Sequence, residues 1–146
     1  MIRYMNLIGM RARKASEHKI NSKKKNKVLN DYTKLLDKEK KLIINQNLKD
    51  IKFAKKIQLN ENLIDRLQLN QKKLDSIKNS IIKITKLKDP IDNTLNKWKR
   101  PNGLSISRVS IPIGVIGVIY ESRPNVTSDV ASLCFKSGNA VILKGG

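Results

Sequence analysis

The chain has 146 residues, a formal net charge of +19, and 39% hydrophobic residues. This length allows one domain or the front portion of a larger one, and the hydrophobic content is enough for a packed core. The longest uncharged run, residues 109–120, is too short to span a bilayer and is interrupted by a proline and glycines, so no membrane-spanning helix is predicted. Because the single cysteine, Cys134, cannot form an internal disulfide, a reducing cytoplasm is the simplest predicted location.

Most of the positive charge lies in the first two thirds of the chain. Residues 100–146 contain five basic and two acidic residues, an excess of three, so sixteen of the nineteen net positive charges lie in residues 1–99. Lysine-rich surfaces attract nucleic acids by releasing counterions from phosphate. However, aromatic residues are not interleaved with these lysines, and no zinc-finger, homeodomain or RRM signature is present. The charge therefore predicts nonspecific polyanion binding and no particular fold.

Apolar residues recur at helical spacing through the first 90 residues, which predicts five helices. In the last of them, Leu74, Ile77 and Ile81 begin a three-four rhythm that resembles a coiled-coil seam but lasts only about two heptads. We therefore expect this helix to pack against the rest of its domain. It should end before Asp89-Pro90, since the residue before a proline disfavours helical backbone. The predicted helices span residues 3–18, 22–37, 39–57, 62–69 and 71–87.

The pattern changes after the helices. Residues 90–103 are rich in turn formers and predict a connector in which Trp98 is a partly buried packing residue. Residues 104–110 alternate apolar and polar side chains, as a half-exposed strand does. Residues 113–120 form a nearly continuous apolar run rich in β-branched residues, which is typical of a parallel strand that is buried on both faces.

A helix and a second strand follow, and together they predict a βαβ unit of about thirty residues. Thr127 or Asn125 is the predicted N-cap of the helix, with Asp129 in its first turn. A Gly-Asn pair supplies the turn after the helix, and residues 140–143 form the second strand. The helix is expected to bury one apolar stripe, which consists of Val126, Val130, Leu133 and Cys134.

Candidate binding groups stand at the carboxyl ends of both predicted strands. The G-x-G-x-x-G dinucleotide fingerprint is missing, because Gly114 and Gly117 lie inside the strand, where they indicate close backbone packing. Asn125, after the first strand, can donate to a developing oxyanion. Lys144, after the second strand, can reach ribose hydroxyls or a phosphate. Since nucleotides often bind beyond the carboxyl ends of such strands, we expect a nucleotide site there.

The run PIGVIGVIYESRPNVTSDVASLCFKSGNAVILKGG resembles the N-terminal nucleotide-binding region of the gamma-glutamyl phosphate reductases. These enzymes, also called glutamate-5-semialdehyde dehydrogenases, form a family within the aldehyde dehydrogenase superfamily. Weaker similarity to the family extends upstream. It involves Lys25-Asn26-Lys27, residues 45–50, Ile64-Asp65-Arg66-Leu67 and Asp89-Pro90.

The resemblance implies an α/β fold in which N-terminal helices lead into the first βαβ unit of a Rossmann-type nucleotide-binding domain. Residues 1–99 would be a helical region and residues 100–146 the start of an NADP-binding α/β domain. Because the family's nucleophilic cysteine lies further downstream, we expect a truncated N-terminal fragment that is inactive alone. Cys134 is predicted to be a small core residue, since a reactive thiolate needs a basic, exposed setting.

The implied reaction is the NADPH-dependent reduction of L-glutamyl 5-phosphate to L-glutamate 5-semialdehyde, with release of phosphate, in proline biosynthesis. A cysteine thiolate displaces phosphate to form a thioester, which then accepts hydride. In the family pattern, Asn125 matches the asparagine that stabilises the oxyanion. Lys144 matches a cationic position that contacts the adenosine ribose of NADP(H), where the family usually has arginine.

The remaining site residues are also implied by the resemblance. Arg123 is the candidate for steering an anionic substrate or phosphate, as a bidentate donor can. No metal ligands are predicted. Ser122 lies in the junction between cofactor and substrate, and the cofactor-binding set is Tyr120, Glu121, Pro124, Lys144 and Gly145.

The implied partners are the substrate L-glutamyl 5-phosphate, further copies of the enzyme in a homo-oligomer, and glutamate 5-kinase. An alternative function stays open at this point. In that alternative the chain is a free-standing basic helical module that binds nucleic acid or a protein partner. A reading frame that continues past Gly146 into a cysteine-bearing domain would favour the enzyme.

Overall fold

The computed structural model of this chain describes residues 2–121 and 123–145. Within these residues the chain forms six helices and four strands. Among them, no helix is both long and apolar enough to cross a membrane. The elements in chain order are α1 (Ile2–Ser16), α2 (Ser22–Lys38), α3 (Lys40–Lys56), α4 (Glu61–Leu67), α5 (Gln71–Lys86), β1 (Thr94–Lys99), β2 (Ser105–Val109), β3 (Val115–Ile119), α6 (Pro124–Lys136) and β4 (Ala140–Lys144).

The five predicted helices are confirmed, and their ends differ from the expected ones by at most two residues. Asparagines begin three of them. The side chains of Asn21, Asn60 and Asn70 accept hydrogen bonds from backbone N–H groups in the first turns of α2, α4 and α5. Such N-caps satisfy donors that have no partner inside the helix, and each stabilises its helix by about 1 kcal/mol.

Helix α5 forms the centre of the hydrophobic core. Its apolar side chains are buried against α2, and Ile81 is completely inaccessible to solvent. The prediction that this rhythm packs inside a domain is therefore confirmed. Burying each such side chain contributes about 1.5–3 kcal/mol. The buried cluster consists of Leu29, Leu69, Leu74, Ile77, Ile81 and Ile84.

Helix α3 is joined to the end of α4 by the buried side chain of Asn47. Its amide nitrogen donates to the Leu67 carbonyl at 3.0 Å, and its amide oxygen accepts from the Leu69 backbone N–H at 2.6 Å. Pairing both ends of a buried amide in this way avoids the free-energy cost of a buried donor or acceptor without a partner. Asn47 thus fixes the chain where α4 gives way to α5.

The predicted connector contains a strand that the sequence did not indicate. Strand β1 pairs antiparallel with β2, from Thr94 opposite Val109 to Lys99 opposite Ser105. Gly103, with φ of 85°, closes the turn between them. Trp98 is 43% exposed, so the prediction of a partly buried packing residue overstates its burial. Only one residue of β2 is half-buried, so the expectation of a half-exposed strand overstates the burial of β2 as well. The hairpin is held mainly by its own ladder.

The βαβ unit is confirmed. Strands β3 and β4 are parallel, with Val115 opposite Ala140 and Ile119 opposite Lys144, and α6 connects them. Helix α1 packs against both strands. The prediction that the first strand is buried on both faces is wrong, because Ile119 is 86% exposed. A sheet of two described strands leaves part of each apolar strand uncovered.

Two glycines of the unit also differ from the prediction. A Cβ placed on Gly114 or Gly117 would meet no described heavy atom within 4 Å, so neither marks close backbone packing. Gly114 has φ of 117°, a conformation that side chains with a Cβ rarely adopt. Its N–H donates to the Asn139 side chain at 2.8 Å, and its carbonyl accepts from Ala140 at 2.9 Å. Through these two hydrogen bonds, Gly114 holds the turn that precedes β4 in place.

Two buried lysines join elements that are distant in the chain, one of them linking α2 to the segment after α5 and the other linking the βαβ unit to the helices. Lys25 on α2 forms an ion pair with Asp89 at 3.0 Å. Lys136 on α6 donates to the Asn26 side chain at 2.6 Å and to the Thr85 carbonyl at 3.2 Å. Buried charges need such partners, because an unpaired one is expensive to desolvate. The helical segment and the βαβ unit are thereby held in one packed structure.

Candidate functional site

The carboxyl ends of β3 and β4 meet at one edge, as the sequence predicts. The Tyr120 backbone N–H donates to the Lys144 carbonyl at 3.0 Å, directly beyond the paired strands. The Tyr120 ring lies against Gly145, since a Cβ placed there would be 3.6 Å from the ring. Its hydroxyl is 2.5 Å from the Thr127 hydroxyl. The structure therefore brings Tyr120, Lys144 and Gly145 together at this edge.

Lys144 is the last residue of β4 and not the first residue after it. Its side chain is exposed, and its ammonium contacts the carbonyl of Gly145. A cation at this position can reach an anionic or hydroxyl-bearing ligand beyond the strand ends.

Helix α6 begins earlier than expected. Pro124 occupies its first turn and Arg123 is the N-cap, with no side-chain capping bond among the described residues. The predicted caps, Asn125 and Thr127, are wrong because both lie inside the helix. Asp129 falls outside the first turn for the same reason. Proline is well suited to open a helix, since it has no N–H to leave unpaired and its φ is already helical.

Asn125 is oriented by a residue one turn further along α6. Its amide nitrogen donates to a carboxylate oxygen of Asp129 at 3.4 Å. An asparagine amide has two N–H groups, so the second one can donate to a ligand. Asn125 itself is exposed at the amino end of the helix.

A cavity of about 310 Å³ lies between α4, α5 and the amino end of α6. Three predicted site residues, Arg123, Pro124 and Asn125, line it together. Tyr120, Lys144 and Gly145 do not belong to its lining, so the predicted site divides into a strand edge and a cavity. The cavity is lined by Asp65, Arg66, Leu69, Lys73, Ser76, Ile77, Ser80, Arg123, Pro124, Asn125 and Asp129.

Charged residues of α4 and α5 also line this cavity, and none of them is among the site residues predicted from the sequence. Arg66 contacts Glu121 at 3.3 Å between guanidinium nitrogen and carboxylate oxygen. Lys73 donates to the carbonyls of Asp65 and Gln68, both at 2.8 Å. The similarity of the Ile64-Asp65-Arg66-Leu67 run to the family is a signal for Asp65 and Arg66, whereas no sequence signal indicates Lys73. Glu121, a predicted cofactor ligand, is thus directed to Arg66, while Ser122 lies outside the described residues.

Cys134 is buried, with 7% of its surface exposed, and burial raises the pKa of its thiol above the ordinary value. A thiol in this state is a poor nucleophile, because the thiolate is the reactive form. The prediction that Cys134 is a small core residue is therefore confirmed. Among the described residues, no group of three or more potential ligands could hold a metal ion.

The buried face of α6 differs from the predicted apolar stripe. Leu133 is 47% exposed, and Val126 and Val130 are only half-buried. Helix α6 packs against α5, and small residues make up most of its buried face. The buried residues of α6 are Ser128, Ser132, Cys134 and Lys136.

Comparison with known proteins agrees with the resemblance. No family model matches the chain. The gamma-glutamyl phosphate reductase of a Nitratiruptor species is 63% identical over 84 residues, which cover 58% of this chain and 20% of the relative. That of a Thermoanaerobacter species is 57% identical over 84 residues, with the same coverage. The matched 84 residues thus cover about one fifth of the length of these curated relatives.

Two solved structures are similar over nearly the whole chain. The gamma-glutamyl phosphate reductase of Thermotoga maritima has a TM-score of 0.89 and 39% identity, covering 92% of this chain and 33% of that one. The Saccharomyces cerevisiae enzyme has a TM-score of 0.91 and 33% identity, covering 96% of this chain and 36% of that one. The α/β arrangement of N-terminal helices leading into a βαβ unit is confirmed, and in sequence and fold the chain resembles the gamma-glutamyl phosphate reductases.

Proposed function

We propose that this chain forms the N-terminal part of a gamma-glutamyl phosphate reductase. The reaction is the NADPH-dependent reduction of L-glutamyl 5-phosphate to L-glutamate 5-semialdehyde, with release of phosphate, in proline biosynthesis. The observation that carries the proposal is the 63% identity over 84 residues to a curated relative with this name. The alternative, a free-standing basic module for nucleic acid or a protein partner, is not favoured by these relatives.

The edge formed by β3 and β4 is the proposed place for the cofactor. Its exposed ammonium and the carboxyl ends of its strands fit the hydroxyl and phosphate oxygens of a nucleotide. NADPH, when bound, supplies the hydride that reduces the acyl carbon. Tyr120, Lys144 and Gly145 would hold it, whereas Pro124 lines the cavity and the carboxylate of Glu121 is engaged by Arg66. The preference for NADP(H) over NAD(H) and the Rossmann-type domain rest on the resemblance.

Asn125 is the proposed oxyanion ligand. Its amide is held by Asp129 at 3.4 Å, which leaves a second N–H for the carbonyl oxygen of the reacting acyl group. A fixed donor of this kind stabilises the charge that develops when a nucleophile adds to the carbonyl. Arg123, at the same end of α6, would steer the anionic substrate.

The nucleophilic thiolate is proposed to come from outside these 146 residues. Cys134 is the single cysteine of the chain, and its thiol is buried. The chain alone is therefore expected to be inactive. The division into a helical region of residues 1–99 and an NADP-binding region of residues 100–146 stays a prediction, as do the cytoplasmic location, the homo-oligomer, the association with glutamate 5-kinase and nonspecific polyanion binding.

A fusion protein tests the proposed function. Residues 1–146 would replace the matching segment of the Thermotoga maritima reductase. The assay would follow NADP⁺ reduction by L-glutamate 5-semialdehyde in the presence of phosphate, the reverse reaction. We expect phosphate-dependent activity in the fusion, none in the isolated chain, and a loss of about 10²–10³ in kcat for Asn125→Ala.

The unmodified Thermotoga maritima reductase is the positive control for this assay. A fusion that folds and assembles as that enzyme does, yet shows no phosphate-dependent reduction of NADP⁺, would contradict the proposed function.

A further inference from the structure

The cavity between α4, α5 and α6 carries charges of both signs. Arg66, Lys73 and Arg123 contribute three cations, and Asp65 and Asp129 contribute two carboxylates, which leaves an excess of one positive charge. A phosphate group alone gains nothing from two carboxylates in its wall, because like charges repel at such distances. A ligand that bears an anion and a cation close together complements such a wall.

Asp129 lines this cavity, and one of its carboxylate oxygens has no hydrogen-bond partner among the described residues. One of its carboxylate oxygens is 3.4 Å from the Asn125 amide, while the other is buried without a hydrogen-bond partner among the described residues. A buried polar atom without a partner is costly, so a donor that enters the cavity would recover that cost. The terminal torsion of an aspartate is soft, and the carboxylate can turn to meet such a donor.

Arg66 supplies the opposite charge. It is the α4 residue that reaches towards the loop after β3, where Glu121 holds one edge of its guanidinium at 3.3 Å. A guanidinium has five N–H donors, so this pairing leaves others for a second carboxylate. The Arg66 side chain is 45% exposed and therefore open to a ligand from solvent. Arg123 adds a second guanidinium to the same wall.

We infer that this cavity binds the α-amino-acid end of the substrate, with Asp129 facing the ammonium group and Arg66, together with Arg123, facing the α-carboxylate. The inference rests on the proposed function, since it is Asn125 in the same cavity that would receive the reacting acyl group. The substrate would then lie with its amino-acid end against α4 and α5. Its acyl phosphate end would point past Asn125 to the strand edge.

Calorimetric titration of the 146-residue chain tests this inference with four ligands. L-glutamate has both groups, glutarate lacks the ammonium, 4-aminobutyrate lacks the α-carboxylate, and inorganic phosphate stands for a simple anion. Losing one charged hydrogen bond costs about tenfold or more in affinity. We therefore expect L-glutamate to bind about tenfold more tightly than either analogue and to resist displacement by phosphate.

Variants assign the selectivity to residues. Asp129→Asn should abolish the advantage of L-glutamate over glutarate, and Arg66→Gln should abolish its advantage over 4-aminobutyrate. Matched controls are Asp31→Asn and Arg13→Gln, since each removes one partner of an exposed ion pair away from this cavity. Circular dichroism would verify that all four variants stay folded. The controls should keep the selectivity of the native chain.

Several outcomes would overturn the inference. They are equal affinity of the native chain for L-glutamate and glutarate, absence of measurable binding, displacement of L-glutamate by phosphate, and selectivity that survives in Asp129→Asn and Arg66→Gln. The fusion enzyme separates this failure from failure of the proposed function. An active fusion with an unselective chain would refute only the amino-acid site, whereas a selective chain in a folded but inactive fusion would count against the proposed reaction alone.

Discussion

The ammonium of Lys25 donates to both carboxylate oxygens of Asp89, at 3.1 and 3.0 Å. The two residues are 64 positions apart in the chain, and their side chains are only 4% and 18% exposed. Asp89 also accepts a hydrogen bond from the Ile91 backbone N–H at 3.1 Å. This ion pair joins α2 to the segment that leads from the helices into the β-hairpin. It therefore fixes the position of that segment against α2.

Replacing Asp89 should destabilise the protein strongly. Asp89→Ala leaves the Lys25 ammonium buried without its counterion, and removal of one partner of a buried pair costs about 3–5 kcal/mol. Urea unfolding followed by circular dichroism would measure the change in the free energy of unfolding. Asp31→Ala is the control, because it breaks only exposed pairs, with Lys27 and Lys34, and should cost at most about 1 kcal/mol. A similar, small effect of both substitutions would show that the Lys25–Asp89 pair is not structural.

The same pair predicts how stability depends on pH. Burial acts to raise the pKa of Asp89, but the Lys25 hydrogen bond and charge, together with the Ile91 N–H and the charge of Lys136, outweigh it, so this pKa lies below its ordinary value of 3.8. The unfolded chain therefore binds this proton more readily, and the contribution of Asp89 to stability is complete above about pH 4 and lost as pH falls through the lowered pKa.

Unfolding free energies measured between about pH 2 and pH 6 would test this dependence, with Asp89→Asn as the comparison. The variant should be less stable near neutral pH and lose less stability on acidification. If the free energy of unfolding fell equally in the native chain and in Asp89→Asn over this range, the acid sensitivity would belong to other carboxyl groups.

Gly114 should be the more sensitive of the two glycines near β3. Its φ of 117° strains any residue with a Cβ, so Gly114→Ala should cost about 1–3 kcal/mol in the free energy of unfolding. Gly117 is the matched control, because it has no positive φ and its Cβ position is open. Gly117→Ala should be neutral or slightly stabilising. Urea unfolding of both variants would measure the two changes in the free energy of unfolding. Equal changes would contradict the backbone strain expected at Gly114.

Lys144 should contribute to cofactor affinity in the fusion with the Thermotoga maritima reductase. Its exposed ammonium stands at the carboxyl end of β4, where a nucleotide is proposed to bind. We expect Lys144→Ala to weaken NADPH binding by about tenfold, which corresponds to one charged hydrogen bond. Fluorescence titration with NADPH would measure it. The control is Lys41→Ala, which removes an exposed lysine from α3 and should leave the NADPH affinity unchanged. Unchanged affinity in Lys144→Ala would contradict the proposed contact between Lys144 and the cofactor.

Local patterns in the sequence account for most of the secondary structure. Helix periodicity depends on neighbours three and four residues apart, so the bounds of α2 and α5 were predicted within one residue. Strand β1 was missed because Thr94–Lys99 has no alternating apolar face, and its ladder with β2 is what stabilises it. The start of α6 differs from the prediction because the sequence offers polar caps at Asn125 and Thr127, whereas Pro124 begins the helix without a side-chain cap.

The sequence by itself determined the helices, the βαβ unit, the resemblance, and the presence of Asn125 and Lys144 at the carboxyl ends of the two strands. Only the tertiary structure separated the predicted site into a strand edge with Tyr120, Lys144 and Gly145 and a cavity with Arg123, Pro124 and Asn125. It also brought Arg66 from α4 to Glu121, 55 positions later. The physical reason is that spacing along the chain fixes only the neighbours within one element, whereas contacts between elements depend on how their buried faces pack around α5.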